Sequence, residues 1–465
     1  MNIKSILLGS AAALVAVSGA RAADAVVMVE PEPAEYVRVC DVYGTGFFYI
    51  PGTETCLKIG GYVRMRVGAS DNTFNSDADY GNLNSAIPTG LVFTAAGERR
   101  GYRNDDYRVE TRVRARLNFD AREETELGTL RAYARVEATN TSAIDNAANY
   151  AMRNAYIQLG GLTMGYKDSL FAERDGLFVD NDFSLGDITQ NVITYTYAAN
   201  GFSAALSLED DNSGDFVPDV VGQLAYKGGW GEAYVSGVYD EQGTNDAALQ
   251  TINGLNYAIP GYGISGLLFE DPRTAAILYS RGNFYNGDLN DDDGAFALKA
   301  GVTLKDLIVA GSAFKIEGSY ATDPTRYTNM GNLVGSLRTQ DVYGVNSGLG
   351  SVRYTDGSTS FGLSSEYQIG AGYQQTFGKL TAGIAGVYGE TFDLKFAEAV
   401  PGSTTLAREV NLGSAEYFDI GVNVAYALTS NFSVMGEVTY FDIDLPNGLS
   451  DQDQTRGFVE FKRSF

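Results

Sequence analysis

The feature that most narrows what this chain can fold into is a two-residue alternation that recurs from one segment to the next. Across 108–120 one face reads Arg108, Glu110, Arg112, Arg114, Arg116, Asn118 and Asp120, and the other reads Val109, Thr111, Val113, Ala115, Leu117 and Phe119. Strand side chains alternate with period two, so this pattern makes a strand with one wet face and one dry face. Nearby segments repeat it: Arg64 and Arg66 oppose Val63, Met65 and Val67, while Arg131, Tyr133, Arg135 and Glu137 oppose Leu130, Ala132, Ala134, Val136 and Ala138. Marking such runs between Gly, Asn and Asp breaks predicts sixteen strands, near 57–68, 107–121, 128–139, 150–160, 161–168, 191–199, 202–210, 219–228, 230–240, 294–304, 308–320, 360–377, 380–391, 417–428, 431–443 and 453–465. Short connections such as 122–127, 200–201, 228–229, 305–307, 378–379 and 429–430 take turns with long ones at 69–106, 169–190, 241–293, 321–359 and 392–416. In an up-and-down antiparallel barrel the odd and even connections emerge at opposite rims, so short turns gather on one side and long loops on the other.

Alternation alone also fits a soluble sandwich. Three features favour a membrane barrel over a secreted sandwich or adhesin. Sixteen consecutive strands close more naturally into a barrel, which removes both edges and pairs every backbone group without water. Aromatic residues gather near strand ends, at Tyr195, Tyr197, Phe202, Tyr226, Trp230, Tyr234, Tyr239, Phe314, Tyr373, Phe377, Tyr417, Phe418, Phe432, Tyr440 and Phe441, as the girdles of spanning strands require. The last strand sets Gly457, Val459, Phe461 and the terminal Phe465 on one face, which looks like the assembly signal of Gram-negative outer-membrane proteins.

Histidine is absent from all 465 residues, which removes the Ser-His-Asp triad, the Cys-His dyad and histidine zinc sites. With 58 acids against 34 lysines and arginines, the net charge of −24 opposes nucleic-acid binding. No carboxylate pair stands out as a glycosidase couple, so the chain reads as non-enzymatic and without a cofactor. Gly261-Tyr262-Gly263-Ile264-Ser265-Gly266 matches a phosphate-binding pattern, yet Pro260 precedes it and no helix follows. The acidic run at 288–294 begins like a calcium loop, but Asp293 holds its sixth position and Lys299 its twelfth. Loose divalent-ion bridging to lipopolysaccharide is the role left to it.

Lys4, the apolar run at 6–17 and Ala20-Arg21-Ala22 form a signal peptide over 1–22, leaving −26 on the mature chain once Lys4 and Arg21 depart. Export makes Cys40 and Cys56 a candidate disulfide, with two free thiols as the alternative. Residues 23–56 then form an N-terminal extension, with the extended acidic linker Glu30-Pro31-Glu32-Pro33, and 57–465 the barrel.

Tyr36-Val37-Arg38-Val39-Cys40-Asp41-Val42-Tyr43-Gly44, the stretch Phe48-Tyr49-Ile50-Pro51-Gly52-Thr53-Glu54-Thr55-Cys56-Leu57 and the ending Phe461-Lys462-Arg463-Ser464-Phe465 resemble the alphaproteobacterial general porins of the rhizobial type. Tyr156-Ile157-Gln158-Leu159-Gly160-Gly161-Leu162 and Pro218-Asp219-Val220-Val221-Gly222 fit the same family. The resemblance implies an all-β, 16-stranded antiparallel transmembrane barrel with short periplasmic turns, long extracellular loops and an inward-folded third loop. It also implies a water-filled homotrimer in the outer membrane, in contact with lipid, lipopolysaccharide and the assembly machinery.

A sixteen-stranded interior holds water, so lumen-facing side chains decide what passes. Arg64, Arg66, Arg112, Arg114, Arg116, Arg131 and Arg135 fall on the polar faces of three neighbouring strands and should form one basic wall. An arginine facing lipid at the midplane costs about 2 to 4 kcal/mol. The opposing charge is expected from the third long loop, which carries Asp168, Glu173, Asp175, Asp180, Asp182 and Asp187. Passive diffusion of small hydrophilic solutes and ions, with weak cation preference from the summed charge, is the expected function. A substrate-selective channel for sugars or organic anions, with tyrosines as stacking surfaces, is the alternative.

Overall fold

A computed structural model describes residues 38–71, 107–141, 145–180, 185–211, 216–241, 282–286, 294–330, 346–347, 350–351, 364–399, 406–444 and 452–465. The signal peptide, the acidic linker, the glycine pattern at 261–266, the acidic run at 288–293 and Asp182 lie outside these residues.

One sheet contains all sixteen expected strands: β1 (Cys56–Asp71), β2 (Tyr107–Thr125), β3 (Gly128–Thr141), β4 (Asp145–Leu159), β5 (Leu162–Asp168), β6 (Thr189–Ala199), β7 (Phe202–Glu209) and β8 (Asp219–Gly228). They continue with β9 (Gly231–Asp240), β10 (Ala295–Lys305), β11 (Ser312–Ala321), β12 (Ser365–Phe377), β13 (Leu380–Thr391), β14 (Glu416–Thr429), β15 (Phe432–Asp444) and β16 (Gln452–Ser464). Each pairs antiparallel with the next. β16 then returns to β1, from Tyr62 opposite Ser464 to Ser70 opposite Arg456. Phe465 and Gly61 exchange two backbone hydrogen bonds of 3.1 Å, so the last residue completes the closure.

The alternation is what selects inside from outside. Val63, Met65, Val67, Val113 and Leu117 are exposed on the outer surface, whereas the arginines between them are partly covered on the inner one. Two aromatic belts mark the ends of the strands, but Tyr234, Tyr417 and Phe441, expected in them, are buried because strand alternation turns them to the inner face. Phe202, Tyr226 and Trp230 cluster at the turn rim, with centroids 4.5 and 6.2 Å apart. Tyr239 meets Phe296 at 4.8 Å and Phe418 meets Tyr440 at 5.7 Å at the loop rim. Rings with one apolar and one polar end settle at headgroup depth. The turns between β6 and β7 show how the rim is made tight: Asn200 and Gly201 both have positive φ, 52° and 86°, as a two-residue hairpin turn requires.

Several details differ from the sequence reading. β11 starts at Ser312 instead of 308, because 306–311 form a turn with positive φ at Asp306 and Gly311. β4 starts at Asp145 instead of 150, and its pairing with β3 shifts register between Arg135 and Val136; a bulge of this kind breaks the alternation that a sequence pattern relies on. β12 starts at Ser365, and 360–363 lie outside the described residues. The stretches 241–293 and 392–416, read as long connections, contribute Gly282–Asn286, Leu394–Ala399 and Leu406–Gly413 to a separate three-stranded sheet.

Of the two states open to the cysteines, the disulfide is the one found: Cys40 is bonded to Cys56. The bridge encloses Phe47, with Tyr43 and Tyr49 packed against it. Arg122 of β2 lies 5.1 Å from the Phe47 ring and 5.8 Å from the Tyr43 ring, tying this block to the barrel wall.

Candidate functional site: the lumen and its third loop

The connection between β5 and β6, described at 169–180 and 185–188, turns into the barrel instead of leaving it. Its apolar side chains Leu170, Phe171, Leu177, Val179 and Leu185 are buried. Leu170 and Phe171 form a small core with Val221, Val238, Ala297, Ala321 and Tyr327, so the inner faces of β8–β11 are apolar where the loop rests on them. Polar anchors follow its course around the wall. Leu170 N donates to Glu209 at 2.9 Å, and Gln223 Nε2 donates to Leu170 O at 3.0 Å. Lys315 Nζ donates to the carbonyls of Arg174 and Gly176, both at 2.7 Å. Asn423 Nδ2 donates to Phe178 O at 2.7 Å, and Asp180 N donates to Glu437 Oε2 at 2.8 Å. Glycines make the close approach possible: a Cβ on Gly370 of β12 would stand 2.5 Å from Leu177 Cδ1.

The described residues of the loop thus anchor along the wall from β7 round to β15, and across the lumen from that wall lie the inner faces of β1–β4. There the seven arginines stand in partly exposed positions. Glu460 of β16 receives Arg64 at 2.9 Å and Arg66 at 2.7 Å. Glu137 is shared by Arg114 at 3.7 Å, Arg116 at 2.5 Å and Arg153 at 2.8 Å. Asp120 joins Arg122 and Arg131, both at 2.8 Å, and Glu110 pairs with Arg112 at 3.0 Å. Arg135 donates to Asn118 Oδ1 and the Tyr133 hydroxyl, both at 3.2 Å. With these nine arginines to four carboxylates, this group of side chains keeps a positive excess.

The loop acids part company. Asp180 crosses to the arginine wall and meets Arg66 at 2.7 Å. Asp175 instead meets Lys299 of β10 at 2.9 Å, Glu173 pairs with Lys167, and Asp168 accepts from Thr189 at 3.0 Å. On the wall opposite the arginines the loop is held by two lysines, Lys299 and Lys315, the second of them paired with Glu317. Sequence reasoning missed both lysines. Their signal was a lone cation at an inward position of an otherwise small or apolar strand face, as in Ala295, Ala297, Lys299 and Gly301. It also missed Arg153, which the β4 bulge turns toward Glu137.

Two loop carboxyls are displaced in opposite directions. Desolvation alone would raise Asp180, but the Arg66 guanidinium, with Arg64 and Arg114 behind it, outweighs this and holds its carboxyl below the usual range. Its ion pair is present at neutral pH and is lost only as pH falls through that depressed value. Desolvation, then Asp175 and Asp168, push the Asp187 carboxyl up against the pull of Lys299 and Arg153. It is therefore the earlier of the two to lose its charge on acidification.

A family model described as the porin subfamily matches residues 24–462. Porin Omp2b of Brucella canis is 42% identical over 267 residues, covering 52% of this chain and 66% of that protein. Porin Omp2b of Brucella melitensis biotype 1 is 41% identical over the same shares. The matched stretch thus falls just short of two thirds of those relatives. Among solved structures, the outer membrane channel DcaP of Acinetobacter baumannii has the same fold, with a TM-score of 0.51 and 14% identity over 90% of this chain and 99% of that one.

Proposed function

The chain belongs to the porin family, and from that premise we propose that it is a general diffusion channel of the outer membrane, passing small hydrophilic solutes and ions without catalysis, cofactor or energy coupling. The observation that carries this reading is the partly exposed arginine face of β1–β4 across the lumen from the wall that anchors the loop. A side-chain-filled barrel core has no use for such a face, whereas a hydrated passage does. Arg64, Arg66, Arg112, Arg114, Arg116, Arg131 and Arg135 serve as the basic side of the narrowing, and Asp180 is the loop acid that faces them. Asp168, Glu173, Asp175 and Asp187 set the charge behind it. The net acidity of the chain gives a weak preference for cations at the mouth. The functional unit is a homotrimer seated in lipid and lipopolysaccharide, and Phe465 on the closing strand is the mark read by the assembly machinery.

Swelling of proteoliposomes in neutral sugars tests this. Rates should fall smoothly from pentose to hexose to disaccharide. A disaccharide entering faster than a pentose supports the substrate-selective alternative, and the absence of swelling contradicts a channel.

A further inference from the structure

On the inner wall of β3 and β4, Tyr133 and Tyr156 are register partners whose rings stack at 5.1 Å and 28°. Two guanidinium groups lie on this aromatic floor. Arg131 Cζ is 4.9 Å from the Tyr133 centroid and 5.4 Å from that of Tyr156, and Arg135 Cζ is 5.8 Å from Tyr133. Arg131 shares Asp120 with Arg122. Arg135 is held by neutral groups, the Asn118 carbonyl and the Tyr133 hydroxyl, and no carboxylate lies within ion-pair distance of it among the described residues. Tyr133 in turn donates to Asn118 Oδ1 at 3.2 Å, which fixes the ring that supports the cation. One step along β3, the single carboxylate of Glu137 already answers three arginines.

Such a floor is stiff and positively charged. A guanidinium seated on a ring loses part of its hydration and much of its rotameric freedom before any solute arrives, so less ordering remains to oppose binding. Its planar fork matches a carboxylate, and the paired rings offer flat apolar area at a fixed height. Chloride satisfies the charge but not the rings; a neutral aromatic does the reverse. We infer that Arg135, Arg131, Tyr133 and Tyr156 form a holding subsite for aromatic carboxylates passing through the lumen. This rests on the channel reading and gives that channel a preferred class of organic anion.

The test uses the full protein in planar bilayers bathed in KCl, with sodium benzoate added to one side. Benzoate should interrupt the open current. Cyclohexanecarboxylate, with the same charge and no π face, should need about 3- to 10-fold more for half block, the value of a stacking contact. Benzyl alcohol should not block. Arg135→Gln should raise the half-blocking benzoate concentration about 10-fold or more. Tyr156→Leu should erase the difference between the two carboxylates, and Tyr156→Phe should keep it. The KCl steps of each variant report that it has folded. Equal block by both carboxylates in the unaltered protein, or unchanged benzoate block in Arg135→Gln, overturns the subsite while leaving the channel standing. Absence of KCl steps in the unaltered protein overturns the channel reading itself and the subsite with it.

Discussion

Replacing Lys315 by Met should weaken this barrel by about 3 to 5 kcal/mol, the usual result of stripping one partner from a buried charge pair. Lys315 and Glu317 are 5% and 7% exposed and 2.9 Å apart. The ammonium also binds two loop carbonyls, Arg174 O and Gly176 O. Glu317 keeps the Gly176 amide at 3.3 Å and the Tyr234 hydroxyl at 3.1 Å, but these cannot neutralise a carboxylate shut away from water. Denaturant unfolding in lipid vesicles should show the loss. Open-channel current noise should rise in the same variant, because the loop has lost its central clamp. Adding Glu317→Leu should recover part of the stability but not the quiet current, since the carbonyls remain unheld. A single variant as stable and as quiet as the parent contradicts the clamp.

The next largest effect is expected on the other surface. Leu206 lies midway along β7, outward and 57% exposed. Leu206→Arg should cost about 2 to 4 kcal/mol of folding stability in a bilayer, the price of a guanidinium near midplane depth. The same chain tolerates many arginines on its inner faces, so arginine itself is not the problem. Equilibrium refolding into vesicles measures the difference. A variant within experimental error of the parent would mean that β7 does not present this face to acyl chains.

The barrel was legible because membrane strands must solve two solvents at once. Arg112, Arg114 and Arg116 of β2 each have a Val or Leu beside them, and that local contrast survives without any knowledge of the neighbours. The narrowing was only half legible for the opposite reason. Arg114 and Arg116 could be placed from their own strand, but the partner of Asp175 is set by how far residues 169–188 travel across the lumen, and no local pattern records that path. Lys299, Lys315 and Gly370 take their roles only from the loop that lies against them. Arg153 was hidden differently: a bulge moves it to the inner face, and alternation counts it on the outer one. The hairpin Leu394–Ala399 and Leu406–Gly413 is built beyond the barrel, where no two-solvent contrast marks the strands.

The most direct check is chemical accessibility across one residue step of β2. Arg114→Cys and Val113→Cys each add one thiol to a chain whose own cysteines are bonded to each other. A charged, membrane-impermeant methanethiosulfonate reagent should reduce the current through open Arg114→Cys channels in discrete steps and leave Val113→Cys channels unchanged. The reverse pattern, with the thiol at 113 modified from water and the one at 114 silent, would place the arginine face outside the passage and contradict the account.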